Sequence, residues 1–290
     1  MVKVSNRKAV SNLALKSYKA NRSRNSIAIL AIILTTILFT TLFTIGTGMI
    51  ESIEESSMRM AGGYAHGSFK YLSHEQYERL AKHPLIKEVG LSIYAGEAVN
   101  EKLLKRYTEI DYNDKTSAKL GFNFPTTGRL PMAKNEISTD TVTLDLLGVP
   151  HKIGQKVTLL CDFRDRTEEK EFILTGYYKG DPAFSAGIIT VSKEFIEVNL
   201  AGRGQQYYKN GDSIGSCQAH VLFKNSRNID ANMMMVISDS GYKVEGNGEN
   251  VIQYGANWAY FSTTSEGNLS VWFAILIGAL LIVFTGYLII

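Results

Sequence analysis

Residues 27–50 read IAILAIILTTILFTTLFTIGTGMI, without one charged side chain. A helix of that length is about 36 Å long, against a hydrocarbon core of about 30 Å. Lipid offers the backbone no hydrogen-bond partner, so a run that crosses it must be helical. Residues 1–26 carry Lys3, Arg7, Lys8, Lys16, Lys19, Arg22 and Arg24 and no acid, whereas Glu51, Glu54 and Glu55 follow the run. The positive-inside rule therefore expects residues 1–26 in the cytoplasm and the next segment outside. The apolar run and its basic arm are too long for a cleaved signal peptide, and no A-x-A site follows, so an uncleaved anchor is expected.

A second uncharged run, residues 269–290, is again long enough to span, with Trp272 and Tyr287 near its two ends. No basic flank follows Ile290, and the expectation is that the sequence continues in a longer protein. Residues 51–268 lie between the two runs, enough for one domain with its own core or two small lobes. All 28 acidic residues fall there with 24 of the 31 basic ones, so this segment is net −4 while the whole chain is +3. The positive excess belongs to the arm, which would face an anionic leaflet, and implies no nucleic-acid partner.

Within the arm, Val10, Leu13, Ala14, Ser17 and Tyr18 fall on one helical face. Lys8, Leu15, Lys16, Lys19 and Arg22 fall on the other. This predicts a short amphipathic helix on the inner interface, with a disordered positive arm as the plainer alternative. Along the first span, Thr36, Thr40, Thr44 and Thr47 or Gly48 recur at helical spacing. Small residues on one stripe let a partner helix approach closely. The plainer account is that each threonine hydroxyl bonds the carbonyl four residues back.

Past the span no helix breaker occurs before Gly62-Gly63, which predicts a helical stalk ending there. Ser73 with Gln76 reads as a capping box opening a helix that His83-Pro84 ends. Strands are predicted over 68–71, 86–99, 156–161, 171–178, 186–191 and 218–223, and residues 156–178 form a hairpin candidate. Helices are predicted over about 139–147, ended by Gly148, over 193–200 after Ser192, and over 228–238. Residues 101–110 fit helix or strand, 111–116 read as polar loop, and 201–215 as an exposed loop or lobe boundary. Interspersed helices and strands predict an α+β domain.

Enzyme chemistry is not legible. There is no Walker glycine loop and no G-x-S-x-G elbow. His66, His74, His83, His151 and His220 show no ligand spacing and read as scattered surface residues. The charged run from Asp162 to Glu171 reads as a solvated hairpin tip and not as a calcium loop. Met233, Met234 and Met235 read as helix core before they read as a soft substrate surface. Cys161 and Cys217 could pair in an oxidising compartment. If unpaired, Cys161 is expected buried on its strand. No catalytic residue, cofactor or metal site is expected.

Three segments together resemble one family. Residues 12–34, NLALKSYKANRSRNSIAILAIIL, are similar to the start of FtsX-like permeases, the class that includes MacB-type ABC transporter subunits. Residues 128–137, GRLPMAKNEI, resemble that family's GR-x-P…NEI turn and strand, and Leu147-Gly148 through Gly154-Gln155-Lys156-Val157-Thr158-Leu159 its LG…GQKVTL strand. The resemblance implies an α+β extracytoplasmic domain of MacB-like periplasmic-core type, residues 51–268, inserted between transmembrane helices 27–50 and 269–290. It implies a non-enzymatic permease at the cell membrane. A separate cytoplasmic ATP-binding subunit would drive it, with a second permease copy or a C-terminal half as further partner. The sequence departs from the family's layout in having no further spans after Ile290. The competing reading is a two-span receptor with a ligand-binding ectodomain. An anchored extracellular enzyme is disfavoured for want of a catalytic constellation.

Overall fold

The computed structural model describes residues 7–204 and 207–260, together with Ile275, Gly278, Ala279, Ile282, Val283 and Gly286. The chain divides into two units, Met1–Glu55 with Ser262–Ile290, and Ser56–Phe261.

In the first unit, α1 (Arg7–Ala20) holds the basic arm and ends at a turn at Asn21. The helix α2 (Arg22–Met60) then runs for 39 residues. Its most apolar 18-residue window has a mean hydropathy of 2.4 and none of it is buried, so it is long and apolar enough to cross a membrane. Leu30, Ile37 and Ile45 are all exposed, as lipid-facing side chains would be. The six described residues of the second run are helical, while Trp272, Tyr287 and the rest of that run lie outside the described residues.

The second unit is built on β1 (Gly67–Leu72), α3 (His74–Ala81), β2 (Ile86–Ala98), β3 (Tyr107–Asn113), α4 (Lys115–Leu120), β4 (Thr127–Gly128), β5 (Glu136–Asp140), α5 (Thr141–Leu147), β6 (Lys156–Asp162), β7 (Thr167–Tyr178), β8 (Ala186–Val191), α6 (Lys193–Asn199), α7 (Tyr207–Asn210), β9 (Cys217–Phe223), α8 (Ile229–Asp239) and β10 (Gln253–Ala256). The strands form one mixed sheet in the order β10-β1-β9-β2-β3-β8-β5-β7-β4. β6 lies beside β7 and also pairs with the end of β2 through Glu97–Asp162 and Ala98–Cys161. Strands β2, β3, β8, β5, β7 and β6 thus close on one another around a core that includes Ile110, Ile137, Leu159, Phe172, Leu174 and Ile189. Closure bends β2 sharply at a bulge between Tyr94 and Gly96. Gly96 has φ +151°, and a Cβ there would sit 2.3 Å from the Asp162 carbonyl oxygen, so only glycine fits. This is a mixed α+β domain with a large sheet.

Local chemistry explains most boundaries. Ser73 and Gln76 form the full capping box on α3. Asp140 caps α5, which is why that helix starts at Thr141 and not at 139. Gly148 ends it in the left-handed region, φ +75°. The GRLPMAKNEI segment is held by Arg129, whose Nη1 and Nη2 donate to the two Glu136 carboxylate oxygens at 2.8 and 2.6 Å. The amides of Met132 and Ala133 donate to the same carboxylate, whose pKa falls to about 2, chiefly through Arg129.

Several expectations fail here. Residues 111–116 are not a loop. Asp111 and Asn113 are buried on β3, and Asp114 caps α4 by accepting the Ser117 amide at 2.7 Å. β7 begins at Thr167, inside the expected connection. The hairpin tip is not merely solvated, because Arg166 pairs with Asp165 and Glu168 while donating to the Asn199 carbonyl. Residues 201–215 are no lobe boundary. Arg203 bonds Asp165, Asp212 and the Phe163 carbonyl, and Ile214 is fully buried. Met233 is buried on α8, but Met234 and Met235 are exposed. Cys161 and Cys217 are buried free thiols. Burial pushes both up to about 12, which keeps them protonated and unreactive.

Candidate functional site

The second unit has a joint where the chain arriving from α2 meets the chain that leaves after β10. α2 ends in a Schellman motif, with the Gly63 amide bonding the Met58 carbonyl at 2.8 Å and the Gly62 amide the Arg59 carbonyl at 3.1 Å. Gly62 has φ +91°, the left-handed conformation such a cap needs. Gly63 is fixed by close approach, since a Cβ would lie 2.2 Å from the Leu120 carbonyl oxygen. Met58 is buried, and the Tyr64 amide bonds Leu120 O at 2.7 Å. Arg59 stacks over the Phe122 ring at 4.1 Å, and Tyr64 packs on the same ring at 4.4 Å.

Asn257 is the fastener. It is buried, and its Nδ2 donates to the carbonyls of Gly63 and Ala65, both at 2.8 Å. Its Oδ1 accepts the Ala259 amide, and its own amide donates to the His66 carbonyl. Tyr260 adds a hydroxyl bond to the Tyr64 carbonyl at 2.7 Å and sets its ring edge-on to His66 at 4.8 Å. His66 is therefore not a surface histidine. Its amide pairs with the Val221 carbonyl, and its Nδ1 accepts the Phe223 amide at 3.0 Å. That bond places the neutral ring's proton on Nε2. Burial, then the charge of Lys87, lowers its pKa, which keeps the ring neutral.

Beside the joint lies a cleft of about 200 Å³, lined by Arg59, Phe122, Arg106, Asp140 and Tyr178 among others. The Arg106 Nη2 and Asp140 Oδ1 lie 3.1 Å apart in a buried ion pair, and Nη1 donates to the Phe184 carbonyl. Gly180 and Gly187 are glycines because a Cβ at either would strike Asp140 or Arg106. Tyr178 is half-buried by surface, and its hydroxyl pKa is raised, by desolvation first and by Asp140 next.

The threonine stripe lies in the other unit. Thr36 and Thr40 each bond the carbonyl four residues back at 2.8 Å, and Thr47 bonds Phe43 and Thr44. Thr36 lines a groove with Ile32, Thr35 and Phe39 on α2 and with Gly278, Ile282 and Gly286 of the second run. Thr40, Thr44, Thr47 and Gly48 are not among the residues lining it. Of the other histidines, His83 bonds Asp239 and His151 bonds Asp145. Among the described residues no three His, Cys, Asp or Glu side chains are grouped to hold a metal ion. Residue spacing carries no signal for Asn257, Tyr260, Arg106 or Asp140, whose partners are far off in the chain.

No protein-family model matches the chain, and no curated protein matches it. Among solved structures, the chain is similar to the periplasmic region of MacB from Actinobacillus actinomycetemcomitans, with TM-score 0.42 and 11% identity over 70% of this chain and 94% of that one. It is also similar to the extracellular domain of the noncanonic ABC-type transporter YknZ from Gram-positive bacteria, with TM-score 0.39 and 12% identity over 66% and 98%. A permease-protein domain from Porphyromonas gingivalis overlaps with TM-score 0.36 and 7% identity over 67% and 77%.

Proposed function

We propose that this chain is the membrane-spanning, permease-like subunit of an ABC transporter, which passes movement between the membrane and its α+β domain. The observation that carries this reading is the continuity of α2: one helix holds the apolar run and ends, at Met60, inside the joint that Asn257 closes. A helix resists bending far better than a loop, so a shift at one end is delivered to the other. In this reading residues 1–26 are cytoplasmic and α1 lies on the anionic inner leaflet. Residues 51–268 are extracytoplasmic, and residues 269–290 form the second span. ATP hydrolysis belongs to a separate cytoplasmic subunit. The second span lies beside Thr36, where residues of both spans line one groove, and the rest of the stripe, Thr40 to Gly48, faces a second permease copy or further spans.

The test is to express the protein with the ATP-binding protein encoded beside its gene and purify both in mild detergent. A stable complex with ATPase activity is expected. Absence of any ATP-binding partner, with ligand binding by the domain intact, would favour the two-span receptor and sink the transporter reading.

A further inference from the structure

Alternation along the sheet puts four polar side chains on one face. On β1, Gly67 and Phe69 face the core, where a Cβ on Gly67 would meet Met233 of α8. Ser68 and Lys70 therefore point to the opposite face. On β9, Ala219 and Val221 are buried, so Gln218 and His220 point the same way as Ser68, which is paired directly with His220. The neighbouring β2 is covered on this face, where Gly90 lies beneath Ser117 of α4. Among the described residues, this face of β1, β9 and β10 is bordered by Ala61, Gly62 and Gly63 beyond α2 and by Tyr207 of α7, whose hydroxyl accepts from Gln253 Nε2. A depression of about 340 Å³ is left, lined by Ser68, Lys70, Gln218 and His220 with Gly255 as floor and Trp258 at the rim.

Among the described residues, none of the four side chains has a hydrogen-bond or ion-pair partner. Ser68, Gln218 and His220 are half-buried and Lys70 is exposed, and convergence of such groups on one depression is how ligand sites are made. The lining carries one cation, Lys70, and no acid. His220 is kept neutral, its pKa pushed down to about 4 by burial and then by Lys70, so its ring offers one donor and one acceptor. Serine, glutamine and neutral histidine beside one lysine suit a tetrahedral oxyanion, with the Trp258 ring against the apolar part of the same molecule.

We propose that this depression binds a phosphate group carried on a small polar body such as glycerol, either free or as the headgroup of an anionic lipid. The site is independent of the transporter reading and would persist if no ATP-binding partner were found.

The test uses the full chain with Trp272→Phe, which leaves Trp258 as the sole reporter of the two tryptophans. Detergent-solubilised protein is titrated with glycerol phosphate, and the same protein is placed in nanodiscs of phosphatidylcholine with or without phosphatidylglycerol. Lys70→Met and His220→Phe are compared with Lys152→Met, an exposed control. A saturable Trp258 change with glycerol phosphate, weakened roughly tenfold or more by Lys70→Met and His220→Phe but not by Lys152→Met, supports a free phosphate ligand. The same pattern only with phosphatidylglycerol assigns the lipid. No response in either arm, or equal responses in all variants, overturns the proposal.

Discussion

The Asn257 side-chain amide lies 2.8 Å from the Gly63 carbonyl, and this contact ties the segment leaving the domain to the segment entering it. The residues are 194 positions apart, yet the bond joins the two places where the chain runs toward its apolar ends. In the proposed function a load arriving through α2 would meet both connections at once, at a joint that Asn257 holds together with the Tyr260–Tyr64 bond.

Asn257→Ala should loosen this joint. It leaves the carbonyls of Gly63 and Ala65 and the Ala259 amide without their side-chain partner. We expect a loss of about 2–3 kcal/mol, the cost of stranding buried polar groups. Denaturant titration checks this. Hydrogen exchange should rise at residues 58–66 and 257–260 together, and a rise at only one of the two segments would contradict the shared fastening.

Gly96→Ala should damage closure of the strand ring. The new methyl would be forced against the Asp162 carbonyl at a backbone angle that disfavours alanine. An effect of about 2–3 kcal/mol is expected from strain of this kind. Gly246→Ala, at φ +118° but with only the Val251 side chain near, should cost less. Equal thermal midpoints for the two variants would show that the β2–β6 contact does not constrain residue 96.

Glu136 gives a signed pH prediction. Its folded pKa is depressed to about 2, so the Arg129 contact stabilises fully above the unfolded value near 4.5 and is lost as pH falls through about 2. Arg129 is half-exposed, which limits the contribution to roughly 1 kcal/mol. Glu136→Gln should therefore be less stable than the parent at pH 7, and the two should converge toward pH 2. A constant gap across that range would show that the charge is not what holds the loop.

Asp111 has the opposite sign. Burial, then the charge of Glu109, raises its pKa well above the usual carboxylate range. A raised carboxylate favours the folded state less as pH rises through the raised value. Asp111→Asn should raise the thermal midpoint at pH 8, with the gain shrinking on acidification. A lower midpoint at pH 8 would mean the ionised carboxylate is satisfied in place.

What the sequence disclosed is the local chemistry. The Ser73–Gln76 box, the Gly148 cap, the Gly62-Gly63 stop and the 156–178 hairpin depend on residues a few positions apart. Asp111 is not legible because a polar residue in a polar run reads as loop, whereas it is buried on a central strand beside Tyr94. The Asp114–Ser117 cap was a usable signal for α4 that the same polarity obscured. The 201–215 segment reads as a boundary from its glycines, but Arg203 fastens it to the hairpin tip through space. The joint and the Ser68–His220 depression were illegible for the same reason: each unites segments from opposite ends of the domain, and strand register, not spacing, decides who meets.

The proposed function requires above all a folded domain held outside a membrane that α2 crosses. Its direct test is labelling of intact cells with a membrane-impermeant maleimide, using single added cysteines at Lys152 in the domain and Lys16 in the arm, since Cys161 and Cys217 are buried. The cysteine at 152 is expected to react in intact cells and the one at 16 only after permeabilisation. Labelling at 16 from outside, or protection of 152 until the cells are opened, would contradict it.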